Sequence, residues 1–391
     1  MPRDLSAALL AAQHADITDP YVIIILSMLG EEPPLPTTPG ILGLQVAPAG
    51  GSREFLTYAP DDWSVLSTDT PTGGTYIGTK CLGGKLFRKG SDTQVFRQGE
   101  YGYLHRSDND GAAWADKSGF GADAATGCVD FDRSTDGTLW LLKYTGAGVG
   151  FISEIWRSVN DGDTWTPVYT PSSWSYWYGR AICCDPADSN RIIACGRTGS
   201  RLTFVYSDDG GSTWHEVDPT DTVSVGTGPN GTQLLFGTGG RLVLAHGTDP
   251  LVETSDDWAD HWTTRLAPTH GGSRFMHQMV HGSSASEFFL AQTQTGPPEV
   301  RAISRSTDNA VTWTEDWALD TDMAINDRIW GLAYDQIGSC LYAHSRTTEA
   351  APPAITVVKW TSAGGWEDIT ADLYDEASNN PGERGIVVIP S

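Results

Sequence analysis

The chain has 391 residues, with 44 glycines, 22 prolines, 10 % aromatics and a formal net charge of -24. That length holds one large domain with a substantial core, and the aromatic content excludes wholesale disorder. So acidic a surface repels nucleic acid and anionic membranes, so neither nucleic acid nor membrane insertion is expected.

Residues 1–40 read differently from all that follows. Leu5 to His14 is predicted as a short helix with Leu5, Leu9 and Leu10 on one side. Tyr21 to Leu29 is predicted as a strand apolar on both faces, too short to span a bilayer. Glu31 to Pro39 holds four prolines and forms a stiff linker. Arg3 is followed at once by Asp4, and no small-residue cleavage site follows the leucine/alanine run, so folding in a cytoplasm is expected. A nine-residue apolar strand on an arm needs a partner surface. The expected division is a docking arm over 1–40 and one domain over 41–391.

From residue 41 the chain repeats. Trp63, Trp114, Trp165, Trp214, Trp262, Trp313 and Trp366 recur at intervals of 48 to 53 residues. Most close one motif: Ser107-Asp-Asn-Asp-Gly-Ala-Ala-Trp114, Ser158-Val-Asn-Asp-Gly-Asp-Thr-Trp165 and Ser207-Asp-Asp-Gly-Gly-Ser-Thr-Trp214. Ser255 to Trp262 and Ser306 to Trp313 are degraded copies. A period near 50 with one turn motif per unit predicts a β-propeller with one four-stranded blade per repeat. In the third repeat the strands are Arg180–Asp185, Arg191–Cys195, Leu202–Tyr206 and Trp214–Val217. The order recurs at Gln233–Leu235 with Arg241–Ala245, at Arg274–Val280 with Glu287–Gln292, and at Arg328–Tyr334 with Cys340–His344 and Ala354–Lys359. The ends are out of phase: Arg384–Ile389 matches a first strand, while Ile41–Val46 and Arg53–Tyr58 match second and third strands. The expected fold is therefore all-β, a seven-bladed β-propeller with the C-terminal strand closing the ring, plus a short N-terminal arm.

The motif Ser-x-Asp-x-Gly-x-Thr-Trp resembles the Asp-box, or BNR repeat, of sialidases and related propellers. That resemblance implies a turn between third and fourth strands, on the face away from the ligand, with no catalytic part. Asn109, Asn160, Asp209 and Asp308 are placed to accept turn N–H groups, Gly111, Gly162 and Gly211 to take positive φ, and the tryptophans to pack between blades. A single propeller of this kind also resembles the photosystem II assembly factor family, whose secretion or lipoprotein signal is missing here. Met1-Pro-Arg-Asp-Leu-Ser-Ala-Ala-Leu-Leu-Ala-Ala-Gln-His14 with Pro20-Tyr-Val-Ile-Ile24 resembles the start of bacteriophage tail proteins. This implies a virion location and docking on other tail subunits through residues 1–40.

Two features mark the expected ligand face. Arg180, Arg274, Arg328 and Arg384 each stand where a loop enters a first strand, and four such arginines suit an anion; pairing with Asp322, Asp327 or Glu383 is the alternative. Trp174, Tyr176 and Trp177, beside Tyr178, make a platform for sugar rings or a packing surface under the loop, with His270, His277, His281, Trp317 and Trp330 as possible additions. No pair has metal-ligand spacing, so neither metal nor cofactor is expected. The six cysteines lack zinc spacing, and Cys128, Cys183, Cys184 and Cys340 lie in apolar runs that predict reduced core thiols. A Cys183–Cys195 bridge is the alternative.

The resulting reading is a virion or receptor-binding protein that displays loops to host glycans. An Asp-box glycoside hydrolase is the enzyme alternative, and a cellular assembly factor the third. Glycoside hydrolysis needs two carboxylates across a cleft. Asp320, Asp322, Asp327, Asp372, Asp375 and Glu376 are available, but the sequence selects no pair. No Arg-Ile-Pro signature precedes the first motif.

Overall fold

The computed structural model describes residues 41–46, 53–58, 63–69, 86–87, 94–98, 103–109, 112–121, 127–145, 152–172, 174, 179–198, 201–220, 232–246, 251–266, 273–295, 300–316, 328–335, 339–346, 355–362, 364–369 and 386–389. The arm, with its predicted helix, strand and linker, lies outside them.

The strands form antiparallel sheets of four, seven in all. One sheet joins Ile386–Ile389, Ile41–Val46, Arg53–Tyr58 and Trp63–Asp69. The next holds Leu86–Phe87, Val95–Gln98, Leu104–Ser107 and Ala115–Asp116, and another Gly127–Arg133, Leu139–Thr145, Ile152–Ser158 and Thr166–Tyr169. Then come Gly179–Asp185, Asp188–Thr198, Arg201–Ser207 and His215–Val217, followed by Gln233–Phe236, Leu242–His246, Leu251–Ser255 and Thr263–Leu266. The last two are Ser273–His281, Phe288–Thr295, Val300–Ser306 and Thr314–Asp316, and Arg328–Asp335, Cys340–Arg346, Ile355–Thr361 and Gly365–Asp368.

Side chains are described in six of these sheets, one fewer than the seven blades expected. The remaining sheet is the one made from both chain ends, and it is described by its pairing alone. There Ile41 to Leu44 pair with Ile389 to Ile386, the described part of the C-terminal strand. Pairing at this seam covers an edge that each end would otherwise expose.

First strands lie side by side from Gly127–Arg133 through Gly179–Asp185, Gln233–Phe236, Ser273–His281 and Arg328–Asp335 to Ile386–Ile389, which touches Leu86–Phe87. This arrangement of sheets about a common axis is a β-propeller. Sheets stacked face to face bury both faces of their middle strands, which therefore read as continuous apolar runs rather than alternating ones. Leu139 and Leu141 pack with Phe96 and Leu104 of the preceding sheet, while Trp140 and Leu142 pack with Ile182 and Ile192 of the following one. Outermost strands carry the polar surface: Ala115, Asp116, His215 and Glu216 are exposed.

Cys128, Cys183, Cys184, Cys195 and Cys340 are buried thiols that form no disulfide. Burial pushes the Cys183 thiol well above its ordinary value, as expected of a core residue and not of a reactive thiolate. Cys183 pairs with Ile193, and Cys195 with Ala181, without a bridge.

Candidate functional site

Five turns between third and fourth strands share one hydrogen-bonding plan. The buried hydroxyls of Ser107, Ser158, Ser207, Ser255 and Ser306 donate to Asn109, Asn160, Asp209, Asp257 and Asp308 at 2.8–2.9 Å. The same Asx oxygens accept the N–H groups of Ala113, Thr164, Thr213, His261 and Thr312 at 2.8–3.0 Å. In four turns the serine oxygen also accepts an N–H four residues on, from Gly162, Gly211, Ala259 and Ala310. The two degraded copies thus fold like the intact ones, although alanine replaces glycine at φ 71° and 63°.

Hydrogen bonding to the charged form sets the chemistry of these acids. Donation from the Thr213 N–H and hydroxyl holds Asp209 down at about 2. Burial pushes Asp308 and Asp257 upward, but donors from Thr312 and His261 outweigh it and leave both below the usual carboxylate range. On the same turn Asp257, Asp260 and His261 bring ligand atoms within 4.8 Å of one another, a grouping missed in the sequence although Asp-x-x-Asp-His was visible. His261 Nδ1 lies 2.7 Å from Asp257 and 3.6 Å from Asp260, so the cluster is an exposed ion pair when the imidazole is protonated.

The tryptophans that end these turns join neighbouring sheets, as expected. Trp214 contacts Trp140 and Tyr169 of the preceding sheet at 5.9 and 5.5 Å. Trp262 contacts Phe204 at 5.0 Å, and Trp165 donates to the Lys117 carbonyl at 2.8 Å. Two buried acids with arginine partners do the same work. Arg191 pairs with Asp185 and lies over Trp258 at 4.4 Å, while Arg305 pairs with Glu287 and lies over Trp360 at 5.3 Å.

Nearer the axis, side chains of one first strand cap N–H groups of the next. Ile182 donates to Asp130 at 3.0 Å, Cys184 to Asp132 at 2.7 Å and Leu332 to Gln278 at 2.8 Å. Met279 donates to Gln233 in the same way. These polar residues inside first strands were not singled out from sequence; their repetition at one position of successive repeats was the available signal.

The first strands also share an irregularity. Val129, Arg180, His277 and Trp330 are each the extra residue of a bulge against the second strand. The next residue along is the capping residue in two of them, Asp130 and Gln278.

The predicted arginines therefore differ in level. Arg180 stands in the bulge, Arg274 pairs with Gln294 three residues before His277, and Arg328 pairs with Arg346 two residues before Trp330. Counted from the bulges, whose extra residue is invisible to alignment by hydrophobic pattern, the three arginines stand at different offsets along their strands. Arg384 lies outside the described residues, as do Tyr176 and Trp177. Trp174 is half-buried among Ile182, Ala194 and Val205. Its indole lies on Gly196, where an added Cβ would come within 2.3 Å. The six loop carboxylates considered for hydrolysis also fall outside the described residues.

With that geometry in hand the chain can be set beside solved structures. It is similar to the structure described as YCF48 bound to D1 peptide, with 15 % identity, TM-score 0.50, and coverage of 84 % of this chain and 93 % of that one. It is similar to the GH74 xyloglucanase from Xanthomonas campestris, with 14 % identity, TM-score 0.54, and coverage of 90 % of this chain. It spans about half of that enzyme's length, 53 %. An α-L-arabinanase from Penicillium chrysogenum matches at 12 % identity and TM-score 0.41, over 62 % of this chain and 80 % of that one. These neighbours are β-propellers. The shared property is the fold. No protein-family model and no curated protein sequence matches the chain.

Proposed function

We propose that this chain is a non-hydrolytic binding propeller: seven blades, five of them with Asp-box turns, closed by the C-terminal strand and displaying loops that take a glycan. The observation that carries the reading is the set of four-stranded sheets about a common axis, whose turns between third and fourth strands are bonded within themselves. Asp209, Asp257 and Asp308 accept hydrogen bonds within their own turns and sit below the usual carboxylate range. The fold likeness to the structure described as YCF48 bound to D1 peptide, along 93 % of that chain, agrees with a binding role. Glycan-array binding, with release of reducing ends measured on the same sugars, tests this. Binding without release is expected; catalytic release would establish the hydrolase reading instead.

The location in this proposal is a phage-type tail, with residues 1–40 docking on other virion subunits. Its support is the N-terminal resemblance and the position of every described strand after residue 40. Deletion of residues 1–40 is expected to leave the far-ultraviolet circular dichroism of the propeller intact and to abolish incorporation into particles. Normal incorporation of the truncated chain would remove the docking role.

A further inference from the structure

The seven sheets differ in their outermost strand. Trp63–Asp69 has seven residues, all paired with Arg53–Tyr58 except Leu66, the extra residue of a bulge. Among the described residues the other outermost strands, Ala115–Asp116, Thr166–Tyr169, His215–Val217, Thr263–Leu266, Thr314–Asp316 and Gly365–Asp368, have two to four. Thr166–Tyr169 and Thr263–Leu266 carry the same bulge at Val168 and Arg265, and each runs one described residue beyond it. Trp63–Asp69 continues for three, as far as the pairing of Arg53 with Asp69. Short outer strands protect a sheet from pairing with other chains through its free N–H and C=O groups. The seam sheet lacks that protection: it ends on a seven-residue edge with which no described strand pairs.

The chain holds a segment of matching length and character. Tyr21–Leu29 reads as a nine-residue strand apolar on both faces. Gly30 and Gly40 bracket the proline-rich stretch Glu31–Pro39, which leads from that segment to the seam sheet at Ile41. Nine extended residues span about 30 Å and the edge about 23 Å, so one segment covers the edge. We infer that Tyr21–Leu29 of one copy of this chain adds as a fifth strand to the Trp63–Asp69 edge of a second copy, held by backbone hydrogen bonds. The inference rests on the docking role proposed for residues 1–40 and names the partner and its acceptor edge.

The linker selects a neighbour over the chain's own edge. Trp63 pairs with Tyr58 and Tyr58 with Leu42, so all three stand at one end of the seam sheet. An antiparallel segment on its own edge would have to return to Ile41 across three strand spacings, about 14 Å. The nine residues Glu31–Pro39, extended as their prolines favour, span about 28 Å and resist folding back on themselves. A parallel segment would carry the linker across the face of the sheet, where the adjoining sheets stand.

Sedimentation velocity of the full chain over a concentration series tests the partner. Self-association is expected. Ile24→Pro takes a donor from the middle of the segment, leaves every described strand untouched, and is expected to weaken the association at least about tenfold. A short bis-maleimide tests the edge, using Ile24→Cys in one copy and Thr68→Cys in the other. Both copies carry Cys81→Ser, since the other native thiols are buried. A cross-link between the two copies is expected, and none when His215→Cys, on the exposed outer strand of another sheet, replaces Thr68→Cys. A full chain that stays monomeric throughout the series overturns the second copy as partner. If residues 1–40 are then still required for incorporation, the docking role stands with a different subunit. A link that forms only within single chains carrying both cysteines replaces the neighbour by the chain's own edge. Association indifferent to Ile24→Pro, or linkage to His215→Cys as readily as to Thr68→Cys, removes the edge. Normal incorporation of the truncated chain removes the docking role itself.

Discussion

Glu287→Ala is expected to destabilise the propeller by about 1.5–3 kcal/mol, the worth of hydrogen bonds to a charged group, because the carboxylate is buried while Arg305 keeps 40 % of its side chain exposed. Glu287 is almost wholly buried in the turn between the first and second strands of its sheet. Its Oε2 accepts the N–H and hydroxyl of Ser283 at 2.7 and 2.6 Å, and its Oε1 accepts Arg305 Nε and Nη2 at 2.8 and 2.5 Å. Arg305 in turn lies over Phe289 of its own sheet and Trp360 of the next, so the pair helps to hold two blades together. Removal leaves a guanidinium without its counterion and turn donors without their acceptor. Denaturant midpoints measure the loss, and Glu287→Gln, which keeps the shape, is expected to lose less.

The pH dependence has a definite sign. Burial pushes Glu287 upward, but donors from Ser283 and Arg305 outweigh it, so its folded value lies below the ordinary one. Its contribution is therefore complete above the unfolded value of about 4.3 and is lost as pH falls through the depressed folded value. Wild type is expected to lose stability below about pH 4 more steeply than Glu287→Ala. Parallel acid profiles for the two proteins would show that the carboxylate is not stabilised as its contacts imply.

Gly211→Ala is expected to cost about 2–5 kcal/mol, combining a left-handed backbone for a residue with a Cβ and overpacking of a core ring. Gly211 has φ +82°, and an added Cβ would meet Cη2 of Trp140 at 2.3 Å and Cζ3 at 2.8 Å. Trp140 is fully buried and set edge-on to Trp214. Gly239→Ala is the control, since its φ is +73° with nothing within 4 Å, and only the backbone part is expected, about 1–2 kcal/mol. The same chain shows how the space can be made. Ala259 and Ala310 occupy the corresponding turn positions, and the residues that match Trp140 in the preceding sheets are Ile193 and Val243. Ala259 packs in one cluster with Ile193, and Ala310 in another with Val243. Trp140→Val is therefore expected to recover part of the loss in Gly211→Ala, a coupling read from a double-mutant cycle of denaturant midpoints. Equal losses for Gly211→Ala and Gly239→Ala would show that Trp140 yields without cost.

Those alanines also show where the sequence reading stopped. The motif Ser-x-Asp/Asn-x-x-x-x-Trp was enough to place five turns, because its bonds run between residues no more than four apart. Local chemistry of that kind is written in the local sequence. The 50-residue period gave the sheets, and the phase of the two ends gave the pairing of Ile41–Leu44 with Ile386–Ile389, since a strand missing from one end must be supplied by the other. Whether alanine could stand for glycine was not legible, because the answer lies in a side chain about 70 residues away on the neighbouring sheet.

The candidate site divides along the same line. Sequence alone determined the propeller repeat, the turn acids as structural acceptors, and the arginines and aromatics near the starts of first strands. Only the tertiary structure decided their levels: a bulge inserts one residue without changing the hydrophobic pattern, so Arg180, Arg274 and Arg328 read alike in the sequence and stand at different heights. It also decided that Trp174 packs on Gly196, since a glycine leaves room for an indole that approaches from another part of the chain. The capping of Ile182 by Asp130 and of Leu332 by Gln278 spans more than 50 residues, and such bonds exist only once neighbouring sheets have closed on one another.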